Sequence, residues 1–134
     1  MSTKKEYFQN LKQVKFEGQN SKNPFAFHYY NPDQVVMGKK MKDWLRFSLA
    51  WWHALGNEGA DQFGGGTKKF PWNEGSTALE AAKNKMDAGF EFMKKLGIEF
   101  YCFHDIDLIA EAPTIEEYEK NLKDIVAYAK EKQA

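Results

Sequence analysis

Cysteine is nearly absent from this 134-residue chain, and Cys102 stands alone. A single thiol excludes an internal disulfide and fits a reducing compartment, so the chain reads as cytoplasmic. Excess charge is absent too: 19 Lys and Arg meet 19 Asp and Glu, for a formal net charge of zero. Phosphate binding needs a surplus of cations on one face, and here the lysines are scattered with acidic residues within a helical turn, so no nucleic-acid partner is expected. No apolar run approaches the ~20 residues of a membrane span, so no membrane partner is expected either. The start, Met1-Ser2-Thr3-Lys4-Lys5-Glu6, lacks the apolar core of a secretory signal.

What the chain has in quantity is aromatic mass, 16% of its residues, with four tryptophans. Trp44, Trp51 and Trp52 fall close together and Trp72 follows Pro71. Indoles serve as core and interface mass, and clustered ones also make sugar-binding platforms. With 43% hydrophobic and 28% charged residues, the composition is that of one globular domain.

Residues 1–38 read as an irregular N-terminal arm in which short apolar pieces alternate with turn signals such as Glu17-Gly18, Asn23-Pro24 and Asn31-Pro32. Such a segment is too apolar for disorder and too broken for a core element, so it is expected to wrap over another surface. The remainder, 39–134, reads as a short helix, a strand, a long loop, a helix, a strand and a helix. The short helix is placed over Lys39 to Arg46, and the first strand over Phe47 to His53. Residues 56–67 are turn formers that include three consecutive glycines, Gly64 to Gly66, which no regular element accommodates. That loop lacks the Gly-Lys-Ser/Thr ending of a phosphate-binding P-loop, and a mobile or partner-facing loop is the better reading.

Thr77-Ala78-Leu79-Glu80 and Thr114-Ile115-Glu116-Glu117 both carry capping-box signatures. Leu79, Ala82, Met86, Phe90 and Met93 form the apolar stripe of the first long helix, which Gly97 ends. Ile115, Tyr118, Leu122, Ile125, Val126 and Ala129 form that of the second. Between the helices lies a strand, Ile98 to Phe103, in which Cys102 and Phe103 read as packing residues.

That strand leads into the most informative stretch, Phe100-Tyr101-Cys102-Phe103-His104-Asp105-Ile106-Asp107. An aromatic strand ends in a histidine and two carboxylates, and the carboxyl end of a parallel strand is where α/β folds place chemistry. His104 and Asp107 can meet only if the chain turns after His104; a continuing strand would put Ile106 on the His104 side. Asp105 is the competing carboxylate. Strand alternation puts Trp51 and Trp52 on opposite faces, so one of them can line a pocket, and His53 shares the Trp51 face.

Strand, helix, strand, helix makes two βα units, the arithmetic of a parallel sheet. A (β/α)8 barrel takes ~200 or more residues. Two parallel strands alone leave buried-type faces exposed and edges unpaired. The fold expected is therefore α/β: an N-terminal arm plus the first two βα units of a TIM barrel, incomplete, as the N-terminal part of a larger protein.

Ser21-Lys22-Asn23-Pro24, Met41-Lys42-Asp43-Trp44-Leu45-Arg46-Phe47, Trp51-Trp52-His53, Asp61-Gln62-Phe63-Gly64 and Tyr101 to Asp107 resemble the N-terminal third of the xylose isomerases. The likeness is to the class with an N-terminal extension, found in gut bacteria and anaerobic fungi. It covers essentially the whole chain, with five motifs in order.

This resemblance implies an aldose–ketose isomerase on a (β/α)8 barrel, a homotetramer that interconverts D-xylose and D-xylulose and, less well, D-glucose and D-fructose. The sugar ring opens and a hydride shifts between C2 and C1 with the help of two divalent cations, Mg2+, Mn2+ or Co2+. The resemblance places the ring-opening pair on His104 and Asp107, a pocket-lining indole on Trp52, and an aromatic that reaches the neighbouring subunit's site on Phe63. The family's metal ligands match nothing in 1–134, so no catalytic metal is expected on this chain, and the chain alone is expected to be inactive. Two other classes compete. A non-catalytic carbohydrate-binding or interaction fragment would use the Trp cluster. A barrel phosphodiesterase would need a basic groove and further histidines, which the sequence lacks.

Overall fold

The computed structural model describes residues 5–134. The first four residues of the arm, and the reading of Met1 to Lys4 as lacking a signal sequence, lie outside the described residues. In chain order the elements are β1 (Val35–Val36), β2 (Lys39–Lys40), α1 (Met41–Trp44), β3 (Ser48–Ala50), α2 (Trp51–Ala54), α3 (Ala78–Leu96), β4 (Phe100–Cys102), α4 (Asp105–Leu108) and α5 (Ile115–Gln133). The architecture is mixed α/β with two small two-stranded sheets, and no closed barrel is formed among the described residues.

The two long helices begin where the sequence signals place them. The Thr77 hydroxyl accepts the Glu80 N–H, and the Thr114 hydroxyl accepts the Glu117 N–H. The reciprocal half of the first box is diverted, because the Glu80 carboxylate accepts the Ser76 N–H at 2.8 Å instead. Gly97 ends α3 in the left-handed region (φ 68°), and the Ile98 N–H closes onto the Met93 carbonyl at 2.9 Å. That bond commits Ile98 to the helix cap, so β4 starts at Phe100 rather than at Ile98.

β3 and β4 pair in parallel, with Ser48 opposite Phe100, Leu49 opposite Tyr101 and Ala50 opposite Cys102. One face of this sheet carries Leu49 and Tyr101 toward the helices. There Trp51, Leu55, Met86, Ile109 and Ile125 are the largest fully buried side chains. The opposite face carries Ser48, Phe100 and Cys102, all exposed. Cys102 is therefore not the buried thiol that its aromatic neighbours suggest, because no layer covers its side of the sheet. Phe103 is likewise 40% exposed, although its ring stacks on Tyr101.

The strand expected over Phe47 to His53 is shorter than its apolar run. After Ala50 the chain enters a helical turn, α2, which drops the Trp51 indole into the core at 1% exposure. That position exists because α3 offers no side chain there: a Cβ on Gly89 would stand 2.7 Å from Trp51 Cζ2 and 2.8 Å from Leu55 Cδ1. The turn also separates His53 from Trp51. Trp51 is buried and His53 is exposed, so the shared face inferred from strand alternation does not hold.

α1 occupies only the middle of the span read as helix, since Lys39 and Lys40 pair with Val36 and Val35 in a hairpin. Its two-residue turn has positive φ at both Met37 (50°) and Gly38 (78°), the mirror-image geometry that suits tight hairpins. Ile115, in the first turn of α5, falls off the stripe at 64% exposure.

The arm lies along α3. Tyr7 and Phe8 pack against Trp72, and Phe8 also meets Phe92. The Glu91 carboxylate accepts both backbone amides, from Tyr7 at 2.8 Å and from Phe8 at 2.9 Å. Lys95 donates to Glu6 at 2.8 Å and to the Phe8 carbonyl, and the Val14 N–H reaches the Lys95 carbonyl at 2.7 Å. Among the described residues no helix is long and apolar enough to cross a membrane.

Candidate active site

β4 delivers His104 to the carboxyl end of the parallel sheet, and the chain turns there into α4. The turn that a His104–Asp107 pairing demands is therefore present. Asp107 Oδ2 accepts the His104 backbone N–H at 2.7 Å and meets His104 Nδ1 at 3.0 Å. The carboxylate thus holds both the backbone and the ring of the same residue. With a carboxylate at Nδ1, that nitrogen carries the proton, and Nε2 of the neutral ring bears the lone pair. The Asp107 side chain is 13% exposed while that of His104 is 64% exposed. The carboxylate is covered and the ring is open.

Trp52 joins this pair from the α2 turn, which leaves the carboxyl end of β3 beside that of β4. Their ring centroids lie 4.7 Å apart with planes tilted by 44°. The half-buried indole walls one side of the imidazole. Asp105, the competing carboxylate, is turned away: Oδ1 accepts the Ile106 N–H at 2.9 Å and Oδ2 accepts the Tyr118 hydroxyl at 3.1 Å. Burial, then the hydrogen bond and charge of Asp105, push the Tyr118 phenol above its ordinary pKa, so it remains a donor.

Phe63 is not brought to this group. It tips a tight turn in which Asp61 and Gly64 exchange backbone hydrogen bonds and Asp61 Oδ1 accepts the Phe63 N–H at 2.8 Å. At 86% exposure its ring is packed against almost nothing in this chain. The loop is ordered at its neck, where the Glu58 carbonyl accepts the amides of both Thr67 and Lys68 at 3.1 Å.

Two of the clustered tryptophans cannot serve a sugar platform. Trp51 and Trp72 are buried at 1% and 6% exposure, and Trp72 Nε1 donates to the Leu55 carbonyl at 2.9 Å. Trp44 is 50% exposed, with its Nε1 donating to the Val36 carbonyl at 3.0 Å.

The divalent cations that the resemblance implies do not find a ligand set here. Among the described residues no group of three or more His, Cys, Asp or Glu side chains could hold a metal ion. Of the two nearby carboxylates, Asp105 accepts the Tyr118 hydroxyl and Asp107 meets the His104 ring.

The sequence reading passed over Lys85. From α3 its ammonium donates to the Asp107 carbonyl at 3.1 Å, directly behind the pair. Its signal was present: Lys85 lies between Ala82 and Gly89, both buried, on the helix face that meets the core. A lysine set within a buried ridge needs a partner.

No protein-family model matches the chain. Among curated proteins, it is 69% identical over 130 residues to a xylose isomerase of Phocaeicola vulgatus and 66% identical over 130 residues to that of Bacteroides thetaiotaomicron. Each match covers 97% of this chain and 30% of the relative. A xylose isomerase of Arabidopsis thaliana is 46% identical over 128 residues, 27% of its length. The chain thus spans about three-tenths of the length of the curated relatives it matches. In sequence, over the part of them that it spans, this chain is similar to the xylose isomerases.

Proposed function

We propose that this chain supplies the ring-opening machinery of an aldose–ketose isomerase that interconverts D-xylose and D-xylulose, with D-glucose and D-fructose as secondary substrates. The observation that carries the reading is the Asp107–His104 Nδ1 hydrogen bond at the carboxyl end of β4, on a chain whose relatives are named xylose isomerase.

In this reading the cyclic sugar presents its anomeric hydroxyl and ring oxygen to His104 Nε2. The lone pair takes the proton from O1, the C1–O5 bond breaks as C1=O1 forms, and the same nitrogen returns the proton to O5. A neutral imidazole suits both transfers near pH 7. Asp107 fixes the tautomer and stabilises the transient imidazolium. Trp52 excludes water and offers a flat apolar wall to the C–H face of the sugar. Phe63, exposed on its loop, reaches the site of a neighbouring subunit in a homotetramer.

The whole protein, in this proposal, is a cytoplasmic (β/α)8 barrel of which residues 39–134 form the first two βα units, preceded by the arm 1–38. It holds two divalent cations (Mg2+, Mn2+ or Co2+) on ligands outside 1–134, and these supply the polarisation for the 1,2-hydride shift. A coupled assay for xylulose tests the reading. We expect turnover by the full-length protein carrying this chain and none by residues 1–134 alone. Isomerisation by the 134-residue chain, or none by the full-length protein with metal supplied, overturns it.

A further inference from the structure

We propose that Lys85 is a positioning residue for ring opening, which locks the α4 turn so that Asp107 presents one oxygen to both the backbone and the ring of His104. The proposal rests on the ring-opening reading of His104 and extends it to a residue that does not touch the sugar.

α4 is a single turn, Asp105–Leu108, and it carries the anchor of the site. So short a helix has little cooperative stability of its own, and the carbonyls of its last turn find no partner within it. One of these is the Asp107 carbonyl, and Lys85 Nζ satisfies it at 3.1 Å. The opposite flank of the turn is tied by the Tyr118 hydroxyl to Asp105 at 3.1 Å. The turn is thus clamped from α3 by Lys85 and from α5 by Tyr118. Both clamps act on atoms that leave the Asp107 carboxylate free for His104.

The placement of Lys85 is costly, which argues for a purpose other than solubility. Burial pulls its ammonium below the ordinary lysine pKa, while the negative charges of Asp107 and Glu58 oppose that shift. Glu58 belongs to the loop that carries Phe63, and its carboxylate also accepts Asn73 Nδ2 at 2.7 Å. Lys85 therefore lies between the two segments that bear the candidate site residues: the Gly-rich loop and the α4 turn.

The test compares Lys85→Met and Lys85→Arg with the parent in the full-length protein. The 15N shifts of the His104 ring report the tautomer, and steady-state kinetics with D-xylose report ring opening. Lys85→Met is expected to mix the two tautomers and to lower kcat about tenfold, the scale of sub-ångström misplacement of a reacting group, with KM changed less than about twofold. Lys85→Arg, which can still donate to the carbonyl, is expected to restore both. If Lys85→Met fails to fold, Lys85→Gln, polar but too short to reach the carbonyl, carries the same expectation.

An unchanged His104 tautomer with unchanged kcat overturns the proposal, even if thermal stability falls, since a purely structural lysine would give that result. If the parent does not turn over xylose, the ring-opening reading fails instead. The tautomer comparison then still decides whether Lys85 positions the pair.

Discussion

His104 and Asp107 differ in what surrounds them, and the roles proposed for them follow that difference. Asp107 is covered and holds two hydrogen bonds from one residue, so its geometry is fixed before any ligand arrives. His104 presents an open ring with Nε2 free, bounded by Trp52 on one side. At the same scale, Gly89 shows how a missing Cβ shapes the core beneath the site. Replacing it with alanine drives a methyl into Trp51 and Leu55, and overpacking of this kind costs about 1–3 kcal/mol. Gly89→Ala is therefore expected to lower the denaturation midpoint without altering the cooperativity slope, and a midpoint equal to the parent's would contradict the close approach. The sequence showed His104 and Asp107 as a pair because their spacing is local and the polar residues end an aromatic run. The buried ridge around Lys85 marks it as a lysine in need of a partner, but its contact with Asp107 spans 22 positions, so the partner was not legible.

At the scale of elements, the long helices were legible to their ends, whereas β3 and β4 were legible in place and direction but not in length. Capping threonines, a 3.6-residue stripe and Gly97 all act within a few residues, so α3 and α5 could be read directly. β3 and β4 owe their three-residue lengths to each other and to the burial of Trp51, which are tertiary facts. The arm illustrates an element held by side chains rather than by ladder bonds. Glu91 grips two of its amides, and the sign of its pKa shift makes the grip acid-sensitive. Burial pushes the Glu91 carboxyl up, but the Tyr7 amide, Lys95 and the Phe8 amide together hold it below its ordinary 4.5.

A carboxyl lowered in the folded state adds stability that is fully present above its unfolded pKa and is lost as pH falls through the folded one. The arm is expected to stay docked at neutral pH and to detach as pH falls below about 4.5, read as faster hydrogen exchange of the Tyr7 and Phe8 amides. Glu91→Gln keeps only one neutral acceptor and should cost about 1–3 kcal/mol of docking at pH 7. Amide protection in Glu91→Gln equal to the parent's at neutral pH would show that aromatic packing on Trp72, not the carboxylate, holds the arm.

At the scale of the whole molecule, the chain has two ends and two faces of different character. The carboxyl end of β3 and β4 carries Trp52, His104 and Asp107. The amino end borders a cleft of about 770 Å3 whose walls include Phe27, Tyr30, Phe47 and Phe100. One sheet face is covered by the helices, and the other carries exposed Phe100 and Cys102 beside exposed Phe103 and Phe47. Parallel strands are ordinarily covered on both faces. Apolar strand positions left open on one side fit the reading of these residues as two βα units of a larger sheet.

The role proposed for His104 lies in ring opening rather than in the isomerisation that follows. A three-carbon aldose cannot close into a ring, so it bypasses the step assigned to His104. In the full-length protein, His104→Ala is expected to lose about 100-fold or more in kcat/KM for D-xylose, the scale of general acid–base catalysis, while kcat/KM for D-glyceraldehyde stays within a few-fold of the parent. An equal loss on both substrates, or no loss on either, would contradict it.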